Sequence, residues 1–308
     1  MADTCALAVD VGGTIIKSAV VAPDGRLLYR LRRDTGRGAG PDHVVQTILT
    51  LVQDLADLAR GSGLRVLAAG LAVPGIVDEA TGVAVEASNI GWHLVPLRDL
   101  VQQQLGVPVH VGHDVRAGAL AEGRRGCAQD SANFLFVPIG TGIGGAWVLD
   151  GSPYPGAHYA AAEIGHIPVT VPGGRCVCGR QDCLEIVASA TSIARRFSEA
   201  SGREVTEALE VATLVKSGDE TATRVWLEAV HALTDALQTA TTLFDPALVV
   251  LGGGLAQSGA LLLQPLQEAL SQRILSAACP ELRCATLGDE AGCVGAALWA
   301  LDLIGSPL

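Results

Sequence analysis

The chain has 308 residues, of which 49% are hydrophobic and 17% charged, a mixture able to build buried cores and too apolar for a disordered chain. Its 21 basic and 32 acidic side chains leave a net charge of −11 with no basic run, which excludes the electrostatic footprint of a nucleic-acid binder. Mean hydropathy is +0.38, yet no apolar run approaches the roughly 20 residues a membrane helix needs.

The length suggests about two domains. Residues 1–12 lack the basic start and long apolar stretch of a secretory leader, and Asp10 interrupts them, so a cytoplasmic protein is expected. The pattern then predicts a strand at 7–11, a turn at Gly12-Gly13, a strand at 18–21, a turn at Pro23-Asp24-Gly25 and a strand at 27–31. From 41 to about 60, Val44, Val45, Ile48, Leu51, Leu55 and Leu58 recur at helical spacing. A strand at 66–73 leads into a loop region containing Pro74-Gly75 and Ser88-Asn89. A helix at 97–105, a strand at 107–111 and a helix at 116–122 follow.

A strand at 134–139 opens the second half. Setting Leu7-Ala-Val-Asp-Val-Gly12-Gly-Thr14 above Leu135-Phe-Val-Pro-Ile-Gly140-Thr-Gly142 aligns strand with strand and glycine turn with glycine turn. The same offset places Ala19-Val20-Val21 over Trp147-Val148-Leu149. A repeat this distant is too long-period for a solenoid and suggests two similar α/β halves. Predicted helices at 191–198, 207–216 and about 220–244 follow. After them come a strand at 247–251, the glycines 252–254, a helix at 260–274 and a closing helix at 291–303.

Glycine turns let backbone N–H groups approach a polyanion. Taken alone, the two turns read either as ordinary β-turns or as phosphate cradles, and their equivalent places in the repeat favour the second. Asp10 would deliver a carboxylate toward a metal-bound phosphate. Lys17, one of two lysines in the chain, would be a phosphate-facing charge. A Walker pattern is absent. Gly140-x-Gly142-x-x-Gly145 fits the dinucleotide fingerprint, but Ala146-Trp-Val-Leu149 continues as strand where that fingerprint must open a helix.

Of eight cysteines, Cys176, Cys178 and Cys183 crowd one loop, with His166 ten positions before Cys176. Three thiolates and an imidazole form the Cys₃His set that closes a tetrahedral Zn²⁺ shell of structural type. Glu163 and Glu185 flank these ligands. They read either as acids fixed by the metal loop to bind polyol hydroxyls or as solvated carboxylates. Asp114, at a strand-to-helix junction, reads by itself as a helix cap or a catalytic acid.

These residues together resemble the ROK family (repressors, open reading frames, kinases), within the sugar kinase–Hsp70–actin superfamily, and most of all its bacterial glucokinases. The resemblance rests on Asp10-Val-Gly-Gly-Thr14, Val73-Pro-Gly75, Asn89-Ile-Gly-Trp92, Asp114 with Ala119-Leu-Ala-Glu122, and Gly140-Thr-Gly-Ile-Gly-Gly145. It also rests on Glu163-Ile-Gly-His166, Cys176-x-Cys178-Gly179 through Cys183-Leu-Glu185, and Gly252-Gly-Gly254.

The resemblance implies an α/β fold of two RNase H-like domains around a central cleft. A smaller N-terminal domain would span 1–113 and a larger one with the zinc loop 114–290, the closing segment, about 291–308, returning to the first. It implies that Asp10, Gly12, Gly13, Thr14, Lys17, Gly140, Thr141, Gly142 and Gly144 hold the phosphates of MgATP. Gly253 and Gly254 would border the adenosine. Asn89, His113, Asp114, Glu163, His166 and Glu185 would face the sugar, with Asp114 as general base. His166 would both bind zinc and touch the sugar through its other ring nitrogen.

Two departures stand out. The family usually shows Asn-Asp-Ala-Asn where this chain has His113-Asp114-Val115-Arg116, and Lys17 falls later than the family's usual lysine after the first turn.

The activity so implied is ATP-dependent phosphorylation of a hexose, glucose at its 6-hydroxyl first. Other acceptors within the family pattern are N-acetylmannosamine, N-acetylglucosamine, mannose, fructose or a cyclitol. A non-catalytic sugar-sensing regulator is the reading from another class; the first strand begins too early for a preceding DNA-binding domain, and the charge is acidic. The partners expected are a sugar or polyol and further copies of the chain, as a homodimer or homotetramer, with neither nucleic acid nor membrane.

Overall fold

The computed structural model describes residues 3–274 and 278–305. β1 (Thr4–Val11) shows the period of two that governs its half of the molecule. Leu7, Val9 and Val11 join one apolar cluster, while Ala6 and Ala8 join another. β2 (Ile15–Val21) pairs antiparallel with β1, and β3 (Leu27–Asp34) with β2. α1 (Pro41–Gly61) opens on a proline, whose missing N–H costs nothing there, and buries Ile48, Leu51 and Leu55 in the cluster of Leu7 and Val9. β4 (Arg65–Val73) lies parallel to β1.

Residues 74–96, expected as loop, carry a separate antiparallel sheet of β5 (Ile76–Asp78), β6 (Val83–Ala87) and β7 (Trp92–Val95). Strands this short show too few alternations to register as a period. α2 (Leu97–Leu105) follows. β8 (Val109–His113) starts beyond the expected 107–111, because Pro108 has no N–H and gives the ladder only its carbonyl, to Ala69. α3 (Asp114–Arg125) therefore begins at Asp114, ahead of the expected Arg116.

The second half opens with β9 (Phe134–Pro138), β10 (Ala146–Leu149) and the two-residue β11 (Ser152–Pro153). α4 (Leu184–Ala188) is too short to show a helical period in the sequence. The Ser189 hydroxyl caps α5 (Ala190–Ser201), a Glu207–Glu210 capping box starts α6 (Ala208–Lys216), and Asp219 caps α7 (Glu220–Phe244). β12 (Leu248–Gly252), α8 (Ala260–Arg273) and β13 (Glu281–Cys284) follow. β13 escapes a sequence reading because Pro280 precedes it and Glu281 and Arg283 alternate with Leu282, so only its partner β12 reveals it. α9 (Ala291–Leu303) closes the described chain.

The described residues form two compact units. One comprises Met1–Arg124, Pro155–Ala161 and Asp289–Leu308, the other Arg125–Tyr154 and Ala162–Gly288. The expected division at 113/114 moves because α3 belongs to the first unit, where Ala117 packs with Cys293, Ala296 and Ala300 of α9. Of the expected closing segment, residues 306–308 lie outside the described residues. The first unit's sheet runs β3-β2-β1-β4-β8, and the second unit's runs β11-β10-β9-β12-β13. In each, a central strand has a hairpin partner on one side and a parallel neighbour on the other, so the strand–turn–strand repeat occupies the same place in both sheets. The second core gathers Leu135, Val137, Val249 and Leu251 with Trp226, Leu233 and Phe197 from its helices.

The small residues of β1 and β4 let α9 approach closely. A Cβ at Gly70 would lie 1.9 Å from the Ala296 carbonyl oxygen. Gly70→Ala is therefore expected to destabilise the protein by about 1–3 kcal/mol, the usual cost of overpacking. Gly61→Ala, where nothing lies within 4 Å, serves as the neutral comparison. Equal denaturation midpoints for the two variants would refute this account of the packing.

Candidate active site

Parallel neighbours end on the same edge of a sheet. In the first unit β1 runs into Gly12-Gly13-Thr14, β4 into Pro74-Gly75 and β8 into His113-Asp114. In the second, β9 runs into the 140–145 turn and β12 into Gly252-Gly253-Gly254. Ligands of open α/β sheets bind outside these carboxyl ends. The two glycine turns, His113-Asp114 and Gly253-Gly254 sit at these ends, whereas Lys17 lies on β2, Asn89 between β6 and β7, Glu185 on α4, and Glu163, His166 and the three cysteines in the segment before α4.

The first turn is a hairpin closed by a bond from the Gly12 N–H to the Ile15 carbonyl, 3.1 Å, and braced by the Thr35 hydroxyl on the Gly12 carbonyl, 2.7 Å. Asp10 is 13% exposed, with Lys17 Nζ 3.7 Å from its carboxylate. Burial and the Asp114 carboxylate, outweighing Lys17, push its pKa up to about 7. Lys17 also donates to the Asp289 carbonyl, 2.8 Å, and pairs with the Asp289 carboxylate, so this lysine is engaged by protein groups on two sides. Asn89 is exposed, its Nδ2 3.7 Å from where a Gly13 Cβ would stand.

Asp114 is the first residue of α3. Its Oδ1 accepts from the Val115 N–H at 2.7 Å and lies 3.3 Å from His113 Nε2. The side chain keeps 31% of its surface exposed. Crowding by the protein raises its pKa to about 6, against the opposing pull of the Val115 N–H and the Arg116 charge. Arg116 itself is 2% exposed. Its Nε donates to Glu79 Oε1 at 2.7 Å and its Nη1 to the Tyr159 carbonyl at 3.1 Å. The cation that replaces the family's second amide is thus bound to protein acceptors. No sequence signal singled out Glu79, Tyr159 or Asp289, which become legible only through their distant partners.

In the second unit the 140–145 turn leads back into strand, β10, as the rejection of the dinucleotide fingerprint requires. Gly140 N–H bonds to the Gly142 carbonyl at 2.9 Å, and Gly144 N–H to the Pro138 carbonyl at 3.2 Å; Thr141 is exposed. The Leu255 N–H reaches the Ile139 carbonyl at 3.1 Å, which sets Gly253 and Gly254 beside this turn. Glu185, on α4, spends Oε2 on the Ile143 N–H at 2.9 Å, so part of this expected sugar ligand holds the glycine turn. Glu163 is exposed and starts the single 3₁₀ turn Ile164–His166. A Cβ on Gly165 would lie 2.2 Å from the Ile143 carbonyl oxygen, so glycine there lets the 3₁₀ turn sit against the 140–145 turn.

His166, Cys176, Cys178 and Cys183 offer ligand atoms that all lie within 4.8 Å of one another. Cys176 Sγ is 3.6 Å from His166 Nδ1, and Cys178 Sγ is 3.6 Å from Cys183 Sγ. A tetrahedral zinc with bonds of about 2.3 Å to sulfur and about 2.0–2.1 Å to nitrogen has edges of about 3.8 and about 3.6 Å. The observed spacings fit that shell and are far from a disulfide bond. Nδ1 faces the thiols, which leaves Nε2 of the same ring for another contact. Among the described residues no helix is long and apolar enough to cross a membrane.

Comparison with known proteins matches the chain to the ROK family model over residues 6–303. A glucokinase of Halalkalibacterium halodurans is 32% identical, covering 96% of this chain and 94% of that protein. A kanosamine kinase of Amycolatopsis mediterranei is 34% identical, over 81% and 80%. Among solved structures, a ROK hexokinase from Thermus thermophilus superposes with a TM-score of 0.85 at 33% identity, covering 98% of this chain and 99% of that one. A Streptomyces griseus ROK glucokinase in complex with glucose and AMPPNP gives 0.82 at 29% identity, covering 97% and 99%. With its strands, glycine turns and Cys–His cluster placed as described, the chain belongs to the ROK family.

Proposed function

We propose that the protein phosphorylates a hexose with ATP, glucose at its 6-hydroxyl being the acceptor that fits best, and that its two units are RNase H-like domains. The observation that carries the reading is Asp114: a carboxylate at the carboxyl end of a parallel strand, on the first turn of a helix, with its pKa raised to about 6. Such an acid is ionised at neutral pH yet basic enough to take a proton from an alcohol as that alcohol attacks phosphorus. Kinship with a glucokinase seen with glucose and AMPPNP supports the choice of donor and acceptor.

In this reading Asp114 Oδ1 or Oδ2 accepts the hydroxyl proton, and the adjacent His113 Nε2 helps hold the carboxylate. Asn89, Glu163, Glu185 and His166 Nε2 bind the other hydroxyls. The Gly12-Gly13-Thr14 turn and the 140–145 turn, with Thr141, offer N–H and hydroxyl donors to phosphate oxygens, and Gly253 and Gly254 leave room for the adenosine. Asp10 and Lys17 stand beside the first turn. Magnesium, carried by ATP, would supply charge neutralisation at the phosphates. Zinc, held by His166, Cys176, Cys178 and Cys183, would supply a structural crosslink that fixes the segments bearing Glu163 and Glu185.

The second reading keeps the reaction and changes the sugar. His113 favours it, since imidazole stands next to the base where the family usually has an amide. The kanosamine kinase among the relatives belongs to the same pattern. A panel of glucose, mannose, fructose, the N-acetylhexosamines and a cyclitol, with ADP release as readout, separates the two.

Asp114→Asn is expected to keep fold and metal while turnover falls about 10²–10⁴-fold, the usual worth of a general base; near wild-type turnover in a folded variant ends this assignment. Because the ionised base is the active form, kcat is expected to fall about tenfold per pH unit below the Asp114 pKa of about 6 and to level off above it. A flat profile through that range would point to another group. Cys178→Ala is expected to lower bound zinc from about one per chain to near none and to raise the KM for sugar about 10–100-fold. Metal analysis of the purified protein with steady-state kinetics checks both, and unchanged sugar affinity in the zinc-free variant would break the proposed link.

A further inference from the structure

The start of α3 is held from outside its own helix. Glu79 follows β5, in the small sheet of the first unit, and its Oε1 makes two contacts that bracket Asp114. It accepts from the Arg116 Nε at 2.7 Å and from the backbone N–H of His113 at 3.4 Å. The residue before Asp114 and the residue two after it thus meet on one carboxylate oxygen. The Arg116 guanidinium then reaches the Tyr159 carbonyl at 3.1 Å. A guanidinium only 2% exposed would be costly without its counter-charge, so Glu79 and Arg116 act as one unit.

We propose that Glu79 and Arg116 are positioning residues for Asp114, a buried ion pair that fixes the first turn of α3 and thereby aims the carboxylate. This rests on the reading of Asp114 as the base. The pair has a shape role and an electrostatic one. Its bonds to the amide at 113 and the side chain at 116 restrict the turn, and a misplacement of about 1 Å at a reacting group can cost about 10²-fold in rate. The Arg116 charge also favours the ionised form of Asp114. Among the described residues, Asp10 on β1 and His113 on β8 also bear on Asp114, and both side chains remain in the variants.

Stability and positioning separate in a pair of variants. Glu79→Met strands a buried cation and is expected to lower both the melting temperature and kcat. In Glu79→Met/Arg116→Met both charges are gone, and apolar side chains of similar length are expected to restore much of the melting temperature. If the pair positions the base, kcat of the double variant stays about 10–100-fold below wild type, KM for ATP and sugar moves less than about threefold, and the acid limb of the pH profile shifts upward. Faster amide exchange over residues 112–116 gives a readout that needs no turnover. Recovery of kcat together with stability, or wild-type exchange at 112–116 in the double variant, would overturn the proposal. Failure of the general-base reading would show separately, as an active Asp114→Asn protein whose exchange at 112–116 still depends on Glu79.

Discussion

Parallel pairing is the constraint on which the rest of the structure depends. Once β4 and β8 run in register alongside β1, their ends cannot fall in different places. A glycine turn, a Pro-Gly turn and the Asp114 junction are delivered to one edge of one sheet from segments far apart in sequence. The second unit repeats the device with β9 and β12, whose ends are again glycine turns. A hairpin would have scattered these ends to opposite edges. The antiparallel strands β2 and β10 serve another purpose, since each closes a glycine turn from its far side and holds its backbone N–H groups at a fixed spacing.

An edge that gathers acids and glycine turns must also set their charges. Asp10 and Asp114 raise this problem together, for each is crowded by protein and the field of Asp114 reaches Asp10. The chain answers with unequal partners. Lys17, itself shared with Asp289, stands by Asp10, while Asp114 has its neighbouring amide, the His113 ring and, through the helix turn, Arg116. Asp114 ends with the lower pKa of the two. In the role proposed for Asp114, an acid ionised at neutral pH but still weakly basic is what proton removal from an alcohol requires.

The sequence made legible those features whose cause is local. Glycine turns announce themselves because few other residues make them, and the Cys–His loop because its side chains are close in the chain. Long amphipathic helices such as α1 and α7 were clear for the same reason. What stayed hidden has a partner elsewhere. The short strands β5, β6, β7 and β13 exist through their ladders, and Glu79, Tyr159 and Asp289 matter through residues dozens or hundreds of positions away. The unit to which α3 belongs is hidden on the same grounds, because its packing on α9 places it with the first unit.

Arg116 shows how a departure from a family pattern can change meaning once its surroundings are known. In the sequence it puts a cation two residues after Asp114, where the family usually has an amide. In the structure two of its donor nitrogens are committed, to Glu79 and to Tyr159, and the side chain is almost fully enclosed. In the proposed reading it acts through the aim and ionisation of Asp114. The direct difference from the family pattern narrows to His113. Its Nε2 lies 3.3 Å from the Asp114 carboxylate, so a sugar-facing amide at this position is replaced by an imidazole beside Asp114. An amide carries both a donor group and an acceptor group, and with its nitrogen on the base its oxygen could still receive a sugar hydroxyl. In the proposed reading, selectivity among acceptors then rests less on the residue beside Asp114 than a family amide there would imply.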